Sequence, residues 1–388
     1  MEFRLSDRLK NLPPYLFIDI DKAKRKALRE GRDIIDLGIG DPDTGSPKEV
    51  IESLYKAACD SRNHHYPLDE GVFALRKRIG KWYEDRFGIR LDPEKEILVL
   101  IGSKEGISHM PLAFINPGDV SLVPEPCYPP YKGGTILAGG TVHAMPLLEE
   151  NNFLPDLNNI KKDVLKRSRI LYINYPNNPT SAVCEKGFFE DVVLFAKRHN
   201  LIVAHDAAYS EIAFQGYRPE SFLKVSGAKE LGVEFHSLSK TCNMTGWRIG
   251  FVCGNEKIIS AISKVKSNID SGVFNAIQVA GITALDVAER HLQKMNRVYQ
   301  KRRDVLVDGL NAMGWPTRSP KATFYVWTRI PGPHKSSIEF ASLVLKETSV
   351  LITPGVGFGG SGEGYVRMAL TVSEERMQEA VERLRKVI

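Results

Sequence analysis

Nothing in this sequence approaches the roughly 18 consecutive apolar residues that a membrane-spanning helix requires, so no such helix is expected. The opening decapeptide, MEFRLSDRLK, is charged and carries no apolar stretch, so no secretory signal is expected in it either. Cysteine is scarce: Cys59, Cys127, Cys184, Cys242 and Cys253 are odd in number and none forms a CxxC. A disulfide framework or structural zinc site is therefore not expected, and a reducing, cytoplasmic setting is. HExxH is absent, and His64-His65 and the other histidines lack metal-ligand spacing. No repeat of fixed period is present. With 32 glycines and 22 prolines in 388 residues the chain is neither collagenous nor of low complexity. Its 53 basic and 47 acidic residues leave a net charge of +6, small and spread along the chain. That gives no argument for nucleic acid, which is not expected as a partner, and is compatible with small anionic substrates.

What remains is an ordinary globular composition, 43% apolar and 26% charged, long enough for two to three domains. Short apolar strands are expected at Glu96–Ile101, Val120–Val123, Arg169–Asn174, Leu201–His205, Phe235–Leu238 and Ile249–Cys253. Helical patterns lie around them, near Val72–Phe87, Lys186–Arg198 and Glu256–Lys266. This rhythm predicts an α/β domain with a mostly parallel sheet flanked by helices. Ser46-Pro47 reads as N-cap and first helical residue of a helix over Lys48–Ala58. After about residue 285 a long helix, Val287–Met313, leads to strands Thr323–Thr328, Val350–Thr353 and Tyr365–Thr371 and a final helix, Ser373–Val387. The expected division is an N-terminal arm with part of a small domain (1–45), a large domain (46–285) and a smaller α+β domain (286–388) built from both termini.

Five segments carry chemistry. Ser237-Leu238-Ser239-Lys240-Thr241 follows an apolar strand, with Thr245, Gly246 and Arg248 shortly after. Small hydroxyls and one arginine near a strand end suit a phosphate, and a desolvated lysine beside them suits imine chemistry with an aldehyde. In His205-Asp206-Ala207-Ala208-Tyr209 the acid falls at a strand's C-terminal end, where open α/β sheets bind ligands. A carboxylate there is either a loop cap or a buried group held ionised by a cation, such as a protonated pyridine nitrogen. Asn174-Tyr175-Pro176-Asn177-Asn178-Pro179 is a turn that also offers an amide at the same edge. Gly102-Ser103-Lys104 opens a helix, whose free N–H groups are either simply capped or bind phosphate. Arg367, inside an apolar strand, needs a carboxylate, from the protein or from a ligand.

Two formal motifs are set aside. Gly357-Phe358-Gly359-Gly360-Ser361-Gly362 fits GxGxxG, but a strand follows it where the dinucleotide fingerprint requires a helix. Asn243-Met244-Thr245 is a glycosylation sequon without a secretion signal to go with it.

Taken in order, NNP, DxxY, SxSK with arginine eight positions on and the late strand arginine, the chain resembles class I/II aminotransferases of the pyridoxal-phosphate fold type I, over essentially its whole length. Asn11-Leu12-Pro13-Pro14-Tyr15-Leu16-Phe17, Asp36-Leu37-Gly38-Ile39-Gly40-Asp41-Pro42-Asp43 and Gly102-Ser103-Lys104-Glu105-Gly106-Ile107 are similar to the LL-diaminopimelate aminotransferases in particular. The resemblance implies pyridoxal 5′-phosphate as cofactor, held by Lys240 as an imine. Lys240 would later move the α-proton, Asp206 would keep the pyridine nitrogen protonated, and Asn178 and Tyr209 would bond the ring hydroxyl oxygen. Tyr128 would stack on the ring, and Ser103, Lys104, Ser237, Ser239 and Arg248 would surround the phosphate. Tyr66 would reach the phosphate of a neighbouring subunit, giving a homodimer with shared active sites. Arg367 would pair with the substrate α-carboxylate, and Tyr15, Gly40, Lys104, Tyr128, Asn178 and Asn275 would lie near substrate. It implies transfer from LL-diaminopimelate to 2-oxoglutarate in lysine biosynthesis, by a ping-pong reaction. Cys127 and Thr44-Gly45 depart from the family pattern and bear on specificity. The competing readings are an alanine, aspartate or aromatic aminotransferase, a β-lyase, a non-catalytic regulator that binds the same cofactor, and a nicotinamide dehydrogenase.

Overall fold

The computed structural model describes residues 3–13 and 16–388, without the side chains of 16–19. Its larger sheet has seven strands in the order Ile97–Leu100, Gly250–Gly254, Gly232–Ser237, Ile202–Asp206, Ser168–Asn174, Val120–Glu125, Thr141–Pro146. All neighbours run parallel except Gly250–Gly254, which is antiparallel to both of its partners. Most of these strands read as apolar runs because both faces are covered. Val99, Leu122, Ile173 and Val203 join one core, while Leu98, Val123, Tyr172 and Ala204 join the other. Each such Val, Leu or Ile side chain contributes on the order of 1.5–3 kcal/mol on burial.

A third core gathers Ile35, Leu37, Leu306, Leu310, Trp315, Phe340, Val366 and Leu384. It covers a three-stranded antiparallel sheet, ordered Thr353–Pro354, Tyr365–Ala369, Tyr325–Arg329. Strand Ile35–Asp36 pairs in parallel with Val350–Leu351, so the N-terminal segment is built into the same unit as the C-terminal one. The α/β architecture expected from the sequence is what the chain adopts.

Two local expectations are corrected. The long helix is Asn275–Ala312, starting twelve residues earlier than its periodicity suggested. At 1.5 Å per residue it spans roughly 57 Å. Ala280 and Ala284 pack on the core that holds Val99, and Leu306 and Leu310 on the third core, so its apolar stripe changes partner midway and blurs the pattern. Ser46 does not cap helix Lys48–Ala58; Pro47 holds the cap position, and the Ser46 hydroxyl donates instead to the Asn243 carbonyl at 2.9 Å.

Parallel strands deliver their C-terminal ends to one edge of the sheet. Asn174 and Asp206, in register on adjacent strands, both end there, and Ser237 closes the next strand.

Candidate active site

At that edge lies a cavity of about 520 Å³, lined by Gly40, Ser103, Lys104, Tyr128, Asn178, Asp206, Tyr209, Ser237, Ser239, Lys240, Arg248 and Arg367. Twelve positions singled out in the sequence thus converge from segments up to 327 residues apart (Gly40 to Arg367). A larger groove of about 1120 Å³, near Trp315 and Arg329, carries none of them.

Asp206 is buried at the cavity floor. Its Oδ2 accepts from the Tyr131 hydroxyl at 2.7 Å and its Oδ1 from the Ala208 N–H at 3.2 Å. Burial pushes its carboxyl up to about 6, and the Tyr131 and Ala208 donors only partly offset this. A carboxylate so placed, with neutral donors on it, is matched to a cation arriving through the cavity.

Lys240 follows strand Gly232–Ser237 on a single helical turn and reaches back so that Nζ donates to the Gly40 carbonyl at 2.9 Å. Burial, with the nearby positive charges of Arg367 and Arg248, brings its amine down to about 8, against an opposing pull from Asp41. It is a nucleophilic amine near neutral pH, where an ordinary lysine is not.

The cavity wall also carries a helix start, hydroxyls and an arginine, groups able to hold an anion. Helix Ser103–Phe114 begins here, after Gly102 with φ of 74°. A side chain at Gly102 would lie 2.4 Å from Arg248 Nη2, so glycine lets the arginine close on the helix start. Ser103 is the first helical residue and Gly102 the cap, so the turn keeps N–H groups directed outward. Arg248 itself adopts φ of 57° and is braced by Nη1 donating to the Thr245 carbonyl at 2.8 Å. Ser237 and Ser239 supply hydroxyls beside it.

Arg367 is buried on the middle strand of the small sheet. Nη1 donates to Asn178 Oδ1 at 2.9 Å and Nη2 to the Gly38 carbonyl at 2.7 Å. With its oxygen engaged, Asn178 offers a ligand its amide N–H groups. The Tyr209 and Tyr325 hydroxyls lie 2.9 Å apart. The Gly38–Asp43 segment is held in place by a two-pronged ion pair of Arg302 with Asp43, at 2.8 Å on each oxygen. Glycine is required at 40, where a Cβ would fall 1.9 Å from the Tyr325 hydroxyl oxygen.

Two expected residues stand elsewhere. Tyr66 does not line the cavity and is 89% exposed. Asn275 caps no part of it either; its Nδ2 donates to the His65 carbonyl at 3.3 Å, which ties the long helix to the Tyr66 segment. Tyr15 lies outside the described residues. The structure also brings to the site residues that the sequence alone does not single out. Tyr131, the donor to Asp206, stands three positions after Tyr128, a spacing that returns to the same side of a helix. Tyr325 and Phe358 flank Arg367. Asp41 completes the rim.

A buried acid, an amine of lowered basicity, a helix start flanked by hydroxyls and an arginine, and a second, buried arginine share one cavity. The sequence matches the family model for class I and II aminotransferases over residues 32–384. The chain belongs to that family. It is an enzyme, a transaminase. Among its relatives, the LL-diaminopimelate aminotransferase of Syntrophobacter fumaroxidans is 54% identical over 100% of both chains. That of Moorella thermoacetica is 53% identical, covering 98% of this chain and 97% of its own. Among solved structures, substrate-bound BacF from Bacillus subtilis superposes with a TM-score of 0.95 at 37% identity, covering 100% of this chain and 98% of that one. The dehydrogenase reading falls with this assignment. In this transaminase the formal GxGxxG is a pair of short turns leading into strand Tyr365–Ala369, not a helix start.

Proposed function

We propose that this transaminase uses pyridoxal 5′-phosphate and carries the amino group of LL-diaminopimelate to 2-oxoglutarate, as a step of lysine biosynthesis. The observation that supports the cofactor best is Asp206: a buried carboxylate raised to about 6, bonded among the described residues by the neutral donors Tyr131 and Ala208, suits a protonated pyridine nitrogen. The donor rests on relatives 49–54% identical along nearly the whole chain that bear the name LL-diaminopimelate aminotransferase.

When bound, the cofactor supplies an aldehyde for reversible imine formation and a ring that spreads the negative charge left at a deprotonated α-carbon. The protein's own groups do the rest. Ser103, Lys104, Ser237, Ser239 and Arg248 hold the phosphate, and Tyr128 covers the ring. Asp206 retains the proton on the ring nitrogen, while Asn178 and Tyr209 bond the ring oxygen. Lys240 provides the amine for attachment and, once freed by the substrate amine, takes the α-proton. Arg367 grips the α-carboxylate, which orients the Cα–H bond for removal. Amino donor and oxo-acid acceptor use the site in turn, hence ping-pong kinetics.

The enzyme works as a cytoplasmic homodimer in this reading, with Tyr66 completing the partner's phosphate site. Exposed Tyr66, Leu68 and Phe274 support a covered face there, on segments joined by the Asn275–His65 bond. Among the described residues no helix is long and apolar enough to cross a membrane. The test is a donor panel with 2-oxoglutarate: LL- and meso-diaminopimelate, aspartate, alanine and tyrosine. LL-diaminopimelate is expected to give the highest kcat/KM. A preference for aspartate, alanine or tyrosine would refute the donor and leave the chemistry standing.

A further inference from the structure

The glycine-rich segment that failed as a dinucleotide fingerprint sits on the active site. Its one large side chain, Phe358, is 2% exposed and lines the cavity. The Arg367 guanidinium carbon lies 4.7 Å from the centre of the Phe358 ring and 4.1 Å from that of Tyr325. A guanidinium has two directional properties: in-plane N–H donors and a face that favours aromatic rings. Asn178 and the Gly38 carbonyl engage the donors; the two rings engage the face. Together they fix the plane in which a carboxylate must be met.

The glycines are there because the loop folds back on itself. A Cβ at Gly355 would lie 2.1 Å from the Gly362 carbonyl oxygen, and one at Gly359, φ 126°, would lie 2.5 Å from Glu125 Cγ. Glu125 ends strand Val120–Glu125, which lies next to the edge strand Thr141–Pro146 of the large sheet. Its Oε2 accepts from both the N–H and the hydroxyl of Ser361 at 3.2 Å, and its Oε1 pairs with Lys132. The Cys127 N–H donates to the Phe358 carbonyl at 2.9 Å. Phe358 is thus anchored, through its own backbone and through Ser361, to the short Glu125–Tyr128 segment whose Tyr128 faces the cavity.

We propose that Gly355–Gly362 is a positioning loop for the substrate carboxylate: Phe358, latched by Glu125, holds the Arg367 guanidinium at the angle that binds it. Phe358 and Glu125 are positioning residues, acting through Arg367. The inference rests on the reading of Arg367 as the α-carboxylate site.

The experiment measures KM and kcat for 2-oxoglutarate in the cofactor-loaded enzyme, with loading checked by absorbance. Phe358→Leu keeps bulk and removes the ring; KM is expected to rise about tenfold, with a much smaller change in kcat. Phe358→Tyr restores the ring face and should return KM to within about twofold of wild type. Glu125→Gln, which leaves the cavity lining intact, should raise KM about threefold or more and covers the case in which Phe358→Leu folds poorly. A KM within twofold of wild type for both Phe358→Leu and Glu125→Gln overturns the proposal. So does a fall in kcat alone, or a Phe358→Tyr variant no better than Phe358→Leu. Arg367→Ala separates the two levels. If it raises KM steeply while the loop variants do not, only the loop proposal fails. If it leaves KM unchanged, the reading of Arg367 fails first.

Discussion

In the cofactor-free protein Lys240 should titrate far below its surface counterparts, and the shift can be worked from its surroundings. Burial disfavours the ammonium form, and Arg367 and Arg248 add repulsion, which together bring the amine to about 8. At pH 8 half of the Lys240 amines are then neutral. A lysine at the ordinary value of about 10.4 is roughly 0.4% neutral at that pH, so the free amine is enriched about a hundredfold. The pH dependence follows in sign: reactivity rises as pH climbs through about 8 and is flat above 9, while surface lysines go on gaining reactivity past 10. Competitive acetylation with limiting acetic anhydride from pH 6 to 11, read by peptide mass spectrometry, measures this in one preparation. The cavity is wide enough to admit the reagent. Asp41→Asn, which removes a negative charge that favours the ammonium form, should move the midpoint below wild type. A Lys240 midpoint at 10 or above, or an upward shift in Asp41→Asn, would refute the reasoning.

Tyr131→Phe takes away a donor that favours the charged form of Asp206. A hydrogen bond to a charged group contributes about 1.5–3 kcal/mol, so the Asp206 carboxyl should rise above 6 by about one unit or more. Carboxyl ¹³C NMR of the cofactor-free protein, assigned with Asp206→Asn, checks it; an unmoved titration would remove Tyr131 from the site. Lys266 is fully buried between Glu105, at 3.2 Å, and Asp270, at 2.6 Å. Lys266→Met leaves two carboxylates facing each other, at a cost of about 3 kcal/mol. Glu105 also accepts from the Ile101 N–H at 2.7 Å, just before the helix start at Ser103. Calorimetry should therefore show a lower Tm, and fluorescence titration weaker binding of pyridoxal 5′-phosphate. Unchanged values in both would contradict it.

The buried parts of the fold were legible because burial leaves apolar runs. Leu201–His205 was expected as a strand and Ile202–Asp206 is one; Glu256–Lys266 was expected as a helix and forms one with the same ends. The edge strand Thr141–Pro146 escaped notice, since an edge needs no unbroken apolar run and its first residue is exposed. Helix Pro130–Leu137 was hidden by Gly133-Gly134; helix formation there is carried by packing, because a Cβ at Gly134 would meet the backbone of Ser108 at 2.8 Å. At the site, Lys240, Asp206 and Asn178 announced themselves by residue type at strand ends. Tyr131, Tyr325 and Phe358 did not, because an aromatic side chain reads as core until its hydroxyl or its ring face is seen against a charged partner. Phe358 was passed over with a glycine pattern whose purpose is close packing against Glu125.

One bond decides the whole account. Borohydride reduction of the yellow, cofactor-loaded enzyme, followed by peptide mass mapping, should place a single pyridoxyl group on Lys240, and Lys240→Ala should take up none and lose amino transfer while keeping its fold. A label on another lysine, or a Lys240→Ala variant that still transfers amino groups, would contradict it.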